Sequence, residues 1–138
     1  MRSTKAWVVL VGLAGVHDCG MALYHFVLPY QWNWKSGLGS GAADSVVWSL
    51  FALDFSWSLL LFLVGGLVLY AAKLGPAAGV FARRTIFIVG LFWMLHGVYT
   101  WINPLPMPAS LAWLRHVLVA FPAVVVALHW LPLAIYRA

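Results

Sequence analysis

The sequence predicts an all-α integral membrane protein: a bundle of four transmembrane helices with both termini on the cytoplasmic side. Three observations carry that prediction. Of the 138 residues, 64% are hydrophobic and only 8% are charged, against about a quarter charged in a typical soluble domain. A water-facing surface cannot be built from that composition, so the bilayer has to be the solvent. Four apolar stretches, moreover, each reach the ~20 residues that a helix needs to cross a hydrocarbon core. Basic residues, finally, collect on one side. Arg2, Lys5, Lys73, Arg83, Arg84 and Arg137 share the cytoplasmic side of an even-spanning chain, with Lys35 alone opposite.

The first span is expected over residues 6–29. The basic start Met1–Lys5 followed by an apolar run has the outline of a signal peptide. The run is too long for one, however, and no small-x-small cleavage site precedes polar sequence, so it reads as an uncleaved helix. A Gly/Ser-rich loop over 36–43 leads to a second span at 45–72, with Asp44 and Ser45 as its N-cap. The Gly/Pro-rich stretch 73–82 precedes a third span at 85–103. Proline-rich 104–108 precedes a fourth at 109–136. Together these make one domain over 1–138. No stretch alternates with period two, and a membrane sheet would have to close into a barrel of about eight strands or more.

Nine tryptophans stand in the chain. Trp32, Trp34, Trp48, Trp101 and Trp113, with Tyr30, all fall at the predicted outer interface, where amphipathic rings anchor a helix to the headgroup level. The formal charge of +5 comes from scattered residues rather than a basic stripe, so nucleic acid is not an expected partner. The single cysteine, Cys19, excludes an internal disulfide and any Cys-x-x-Cys redox motif, and packing is its expected role.

Residues 15–34 are the functional lead. His17, Asp18, Met21, Tyr24 and His25 lie inside an apolar helix and share roughly a third of one face. Ionisable groups within a membrane helix are costly, and they normally face a bundle interior and carry a function. Threading the topology through the bilayer places His17 and Asp18 near the midplane. His25, Asp54, His96, Arg115 and His116 then fall in the outer half, with only His129 toward the cytoplasm. One polar pocket in the outer half, lined by His17, Met21, His25, His96, His116 and Arg115, is the expected site.

Its chemistry admits several readings. His17-x-x-x-Met21-x-x-x-His25 stacks a thioether between two imidazoles, a ligand set suited to copper. His17 and His25 lie about 12 Å apart along the axis and cannot share one ion undistorted. Haem b would instead take histidines from facing helices, such as His17 or His25 opposite His96 or His116. Asp54 and Arg115, lone charges of the second and fourth spans at similar depth, form the expected buried ion pair, able to hold a quinone or lipid headgroup. Asp18 is then left to orient His96 or His116, or to relay protons. Pro122 interrupts the fourth span and frees the Leu118 carbonyl toward a polar cavity. Gly12, Gly15 and Gly65-Gly66 read as close-packing sites.

A short echo, Val11-Gly-Leu before His17 and Val89-Gly-Leu before His96, suggests paired hairpins. No nucleophile motif is present. The expected function is therefore a membrane protein holding haem, copper, or a quinone or lipid headgroup in that pocket. The alternatives are an accessory or assembly subunit of a larger membrane complex, or a proton-coupled transporter titrating at Asp18 or Asp54. Lipid is the expected surroundings, a homo-oligomer is an open expectation, and the compact chain suggests a bacterial inner membrane.

Overall fold

The computed structural model describes residues 2–37, 44–77, 79–103 and 109–136. Every regular element among them is helical. Helix α1 spans Arg2–Gln31, α2 is a single turn at Trp34–Gly37, α3 spans Asp44–Leu74, and α4 spans Gly79–Ile102. A 3-10 turn, Ala109–Leu111, leads into α5 at Ala112–Ile135. The helices α1, α3, α4 and α5 are each long and apolar enough to cross a membrane.

Helices α1, α3 and α4 are longer than hydropathy alone suggests, while α5 is shorter than the predicted 109–136. Polar residues at their ends extend α1 and α3 beyond their apolar stretches, and α4 begins six residues before the predicted start at 85. An arginine pair at a helix end is compatible with helix, because the side chains can reach past the apolar surface. Asn33 closes the end of α1 with φ 48°, and Gly75 ends α3 with φ 76°, the left-handed backbone that stops a helix. The loop residues 38–43 and 104–108, Arg137, and the side chain of Arg115 lie outside the described residues.

The helices pair as two hairpins. Helix α1 runs along α3, α4 runs along α5, and the pairs meet chiefly where α1 touches α5. At the end that carries both termini, the buried Trp7 donates its indole N–H to the Ala71 carbonyl at 3.3 Å. The same ring meets Tyr136 edge-on, with centroids 5.6 Å apart. Arg83 donates to the Tyr136 carbonyl, tying the start of α4 to the end of α5. The opposite end carries the exposed rings of Tyr30, Trp32, Trp48, Trp101 and Trp113. Trp7 and Trp93 are buried instead and spend their N–H groups on internal acceptors.

Glycine decides how closely the hairpins close. An added Cβ at Gly65 would meet Cys19 Sγ at 2.8 Å, Cys19 N at 2.9 Å and Asp18 Cβ at 3.0 Å. At Gly90 it would run into the Trp130 indole and sit 3.1 Å from His129 Cβ. Gly15 likewise meets Leu69, whereas Gly12 and Gly66 have nothing within 4 Å and are not contact sites. Helix α5 continues through Pro122, which packs on Gly97.

Gly65→Ala is expected to cost about 1–3 kcal/mol, since backbone rather than a side-chain tip stands in the way. Gly66→Ala, one residue on, should be neutral or slightly stabilising. Unfolding of both variants in detergent checks the contrast, and equal losses would contradict this packing.

Candidate functional site

Three acids are present in the chain. Two of them, Asp18 and Asp54, point into the bundle and organise separate clusters, while Asp44 is exposed at the start of α3.

Asp18 is fully buried and collects partners from three helices. Trp93 of α4 donates its indole N–H to Oδ1 at 2.8 Å. His17 of α1 places Nδ1 at 3.1 Å from the same oxygen. His129 of α5, also fully buried, places Nε2 at 3.1 Å from Oδ2. The other nitrogen of His129 lies 2.9 Å from the Val125 carbonyl. A carbonyl only accepts, so Nδ1 of His129 carries a proton and Nε2 is the atom that faces the acid. The carboxylate thus meets a hydrogen-bonding group at each oxygen, which a buried charge requires. His17 is left with one polar atom unmatched: Nε2 is buried and has no hydrogen-bond partner among the described residues. The His17 ring lies against Trp93, centroids 4.8 Å apart, and Phe121, centroids 5.2 Å apart.

Asp54 of α3 organises the second cluster. Its Oδ1 lies 3.4 Å from Nδ1 of His25, two turns along α1 from His17. This pair is not sealed: the His25 and Asp54 side chains keep 27% and 10% of their exposure, against none for Asp18 and His129. His96 of α4 is half-buried. Its ring leans on Trp93, 5.5 Å between centroids, and on Phe92 at 6.1 Å. Toward the termini, the same faces of α3 and α4 part to form an apolar groove of about 380 Å³. Trp57, Leu60, Leu61 and Val64 line it on α3, and Ile88, Val89 and Phe92 on α4. Asp54 stands three residues before Trp57 and His96 four after Phe92, so by helix periodicity the polar cluster caps the groove's far end.

The single expected pocket is therefore two sites. Asp18 is held by His17, His129 and Trp93, rather than by His96 or His116. His116 is exposed on α5. Asp54 takes His25 as its partner; the expected Asp54–Arg115 pair falls on a side chain outside the described residues. Met21 is half-buried beside the apolar core, and among the described residues no three His, Cys, Asp or Glu side chains gather to hold a metal ion. Cys19 packs with Sγ 3.8 Å from the Phe62 carbonyl.

His129 and Trp93 are the residues that depth counting misses. His129 sits nearer the termini than Asp18 does, but Cβ bonds lean toward the N-terminus of their own helix. Helices α1 and α5 run antiparallel, so Asp18 leans toward the termini end and His129 away from it. The two side chains converge across the offset. That directional rule was the available signal.

Compared with protein-family models, curated proteins and solved structures, the chain matches none.

Removing one partner of a buried charge pair typically costs about 3–5 kcal/mol. His129→Leu should destabilise the bundle by that order, and Asp18→Asn in the same chain should recover part of the loss. A double-mutant cycle by detergent unfolding tests this, with additive effects counting against the pair.

Proposed function

We propose that the protein is a bacterial inner-membrane protein, with both termini cytoplasmic, that binds a membrane-soluble quinone or quinol between α3 and α4. The supporting observation is the accessible His25–Asp54 pair, three residues along α3 from the groove residue Trp57, with His96 against the groove residue Phe92. Such a site matches an amphipathic ligand whose ring carries oxygens and whose tail is hydrocarbon. In the tautomer in which His25 donates Nδ1–H to Asp54, Nε2 accepts a quinol hydroxyl, and the carboxylate stabilises the positive charge that develops on the imidazole. His96 is the second polar group available to the ring. Trp57 and Phe92, with ring centroids 5.2 Å apart, form the aromatic wall below it.

Depth selects the ligand class. Asp54 lies ten residues into α3, about 15 Å from that end of the helix, below the level of phospholipid headgroups. A quinone ring enters hydrocarbon readily, whereas a zwitterionic headgroup does not. The exposed apolar side chains that cover the remaining helix faces call for lipid as the surrounding partner. A copper or haem site draws less support: His17 and His25 each turn Nδ1 toward a carboxylate belonging to a different cluster. Their free Nε2 atoms would serve separate sites rather than one ion.

Decylubiquinone should quench the tryptophan fluorescence of the protein in phosphatidylcholine nanodiscs saturably, and Trp57→Phe should remove much of that quenching. Asp54→Asn should weaken binding about tenfold or more, the worth of one hydrogen bond to a charged group. Linear, unsaturable quenching that is the same in Asp54→Asn would sink the proposal. Displacement by added phosphatidylglycerol would reassign the groove to lipid.

A further inference from the structure

The Asp18 cluster has no part in the ligand site above, and its geometry points to a separate role. We propose that Asp18 and His129 form a proton-holding ion pair at the centre of the bundle, with His17 Nε2 as the atom through which protons enter and leave.

The protonation pattern follows from counting donors. The Val125 carbonyl fixes a proton on Nδ1 of His129. Oδ1 of Asp18 lies in hydrogen-bonding range of the Trp93 indole N–H and of His17 Nδ1. An indole N–H only donates, so Oδ1 accepts from Trp93; His17 is assigned a proton on Nδ1 as the second donor to that oxygen. Two donors on one oxygen favour the ionised acid. The proton between Oδ2 and Nε2 accordingly resides on His129, which is then an imidazolium beside a carboxylate. The resting cluster is electrically neutral, which lowers the cost of burying it, and His17 is a neutral imidazole with a bare lone pair on Nε2.

Among the described residues, that lone pair is the one polar position of the cluster without a partner. Nε2 of His17 is buried without a partner, although an acceptor of this kind ordinarily finds one. A proton delivered by water to Nε2 lets His17 release its Nδ1 proton to Asp18 Oδ1. The bond to hydrogen at Nε2 forms as the one at Nδ1 breaks, His17 ends as the opposite neutral tautomer, and the cluster gains one positive charge. Return of the same proton restores neutrality. Helix α1 brings His17, Asp18 and, next to them, Cys19. Helix α4 brings Trp93 with His96 a turn beyond, and α5 brings His129. On the α3 side, Gly65 backs Asp18 and adds no charge.

Phe121 is the natural gate. Its ring lies 5.2 Å from the His17 ring, and 39% of the residue remains exposed, so it can swing outward without breaking the core. Trp93, on the other side of the imidazole, is buried and tied to Asp18, and it cannot move in the same way.

Nitrogen-15 NMR of histidine-labelled protein in nanodiscs at neutral pH tests the assignment without any substitution. His129 should show two protonated ring nitrogens, and His17 one protonated Nδ1 and one bare Nε2. Phe121→Ala should speed exchange of the His17 ring proton severalfold and leave the His129 signals in place. A neutral His129, a proton on His17 Nε2, or unchanged exchange in Phe121→Ala would each overturn the proposal. None of these readings depends on quinone binding, which is scored by fluorescence alone.

Discussion

The constraint behind the whole structure is the burial of one carboxylate in an apolar bundle. An isolated charge moved from water into a low-dielectric interior loses far more solvation than a small protein has stability to offset. Asp18 is tolerable only because three helices deliver groups to it: an indole N–H from α4, an imidazole from α5, and the neighbouring imidazole of α1. Moving α4 or α5 away strands the charge. The cluster therefore does more than occupy the core. It sets a register among α1, α4 and α5 that apolar packing, which has no direction, would leave loose. Polar contacts of this kind are a principal source of specificity among helices in lipid, where the hydrophobic effect no longer drives one helix onto another.

Reaching that register requires backbone approach, which explains where the contact glycines fall. Gly65 lets α3 come against Cys19 and the Cβ of Asp18 from behind, and Gly90 lets α4 come against His129 and Trp130. Both lie at the level of the ion pair, and Gly15 against Leu69 and Gly97 against Pro122 make further close contacts along the hairpins. Trp130 then stacks on Phe87, 5.5 Å between centroids, and gives its N–H to the Phe87 carbonyl, locking α5 against α4 beside the histidine. Small residues and the charged pair are thus parts of one arrangement.

Much of the architecture was legible in the sequence, because hydropathy and length report directly on solvent. The four long helices and the exposed tryptophans at one end follow from composition and periodicity. Who partners whom did not. Assigning Asp18 to His96 or His116 treated depth along the helix axis as the position of the side chain's tip. An aspartate and a histidine on antiparallel helices lean toward each other, and that lean closes the gap that kept His129 out of the predicted pocket. Trp93 was obscured for a different reason. Eight other tryptophans stand in the chain, and interfacial anchoring accounts for most of them, so nothing local marked the one whose N–H is spent on a carboxylate. Pro122 misled similarly. Its missing N–H signals a possible break, but only the packing on Gly97 shows how the helix runs on past it.

Two histidine–aspartate pairs in one small bundle invite the assumption that they do the same thing, and their surroundings argue otherwise. The inner pair is sealed, has 3.1 Å contacts and meets a hydrogen-bonding group at every polar atom except one nitrogen of His17. The outer pair is longer at 3.4 Å, is partly exposed, and lies one helical turn from the apolar groove. The groove itself exists because α3 and α4 are the adjacent helices that touch least, having spent their close contacts on α1 and α5. The tight inner register and the loose outer cleft are two consequences of the same packing, which draws each hairpin together and leaves an apolar seam between α3 and α4.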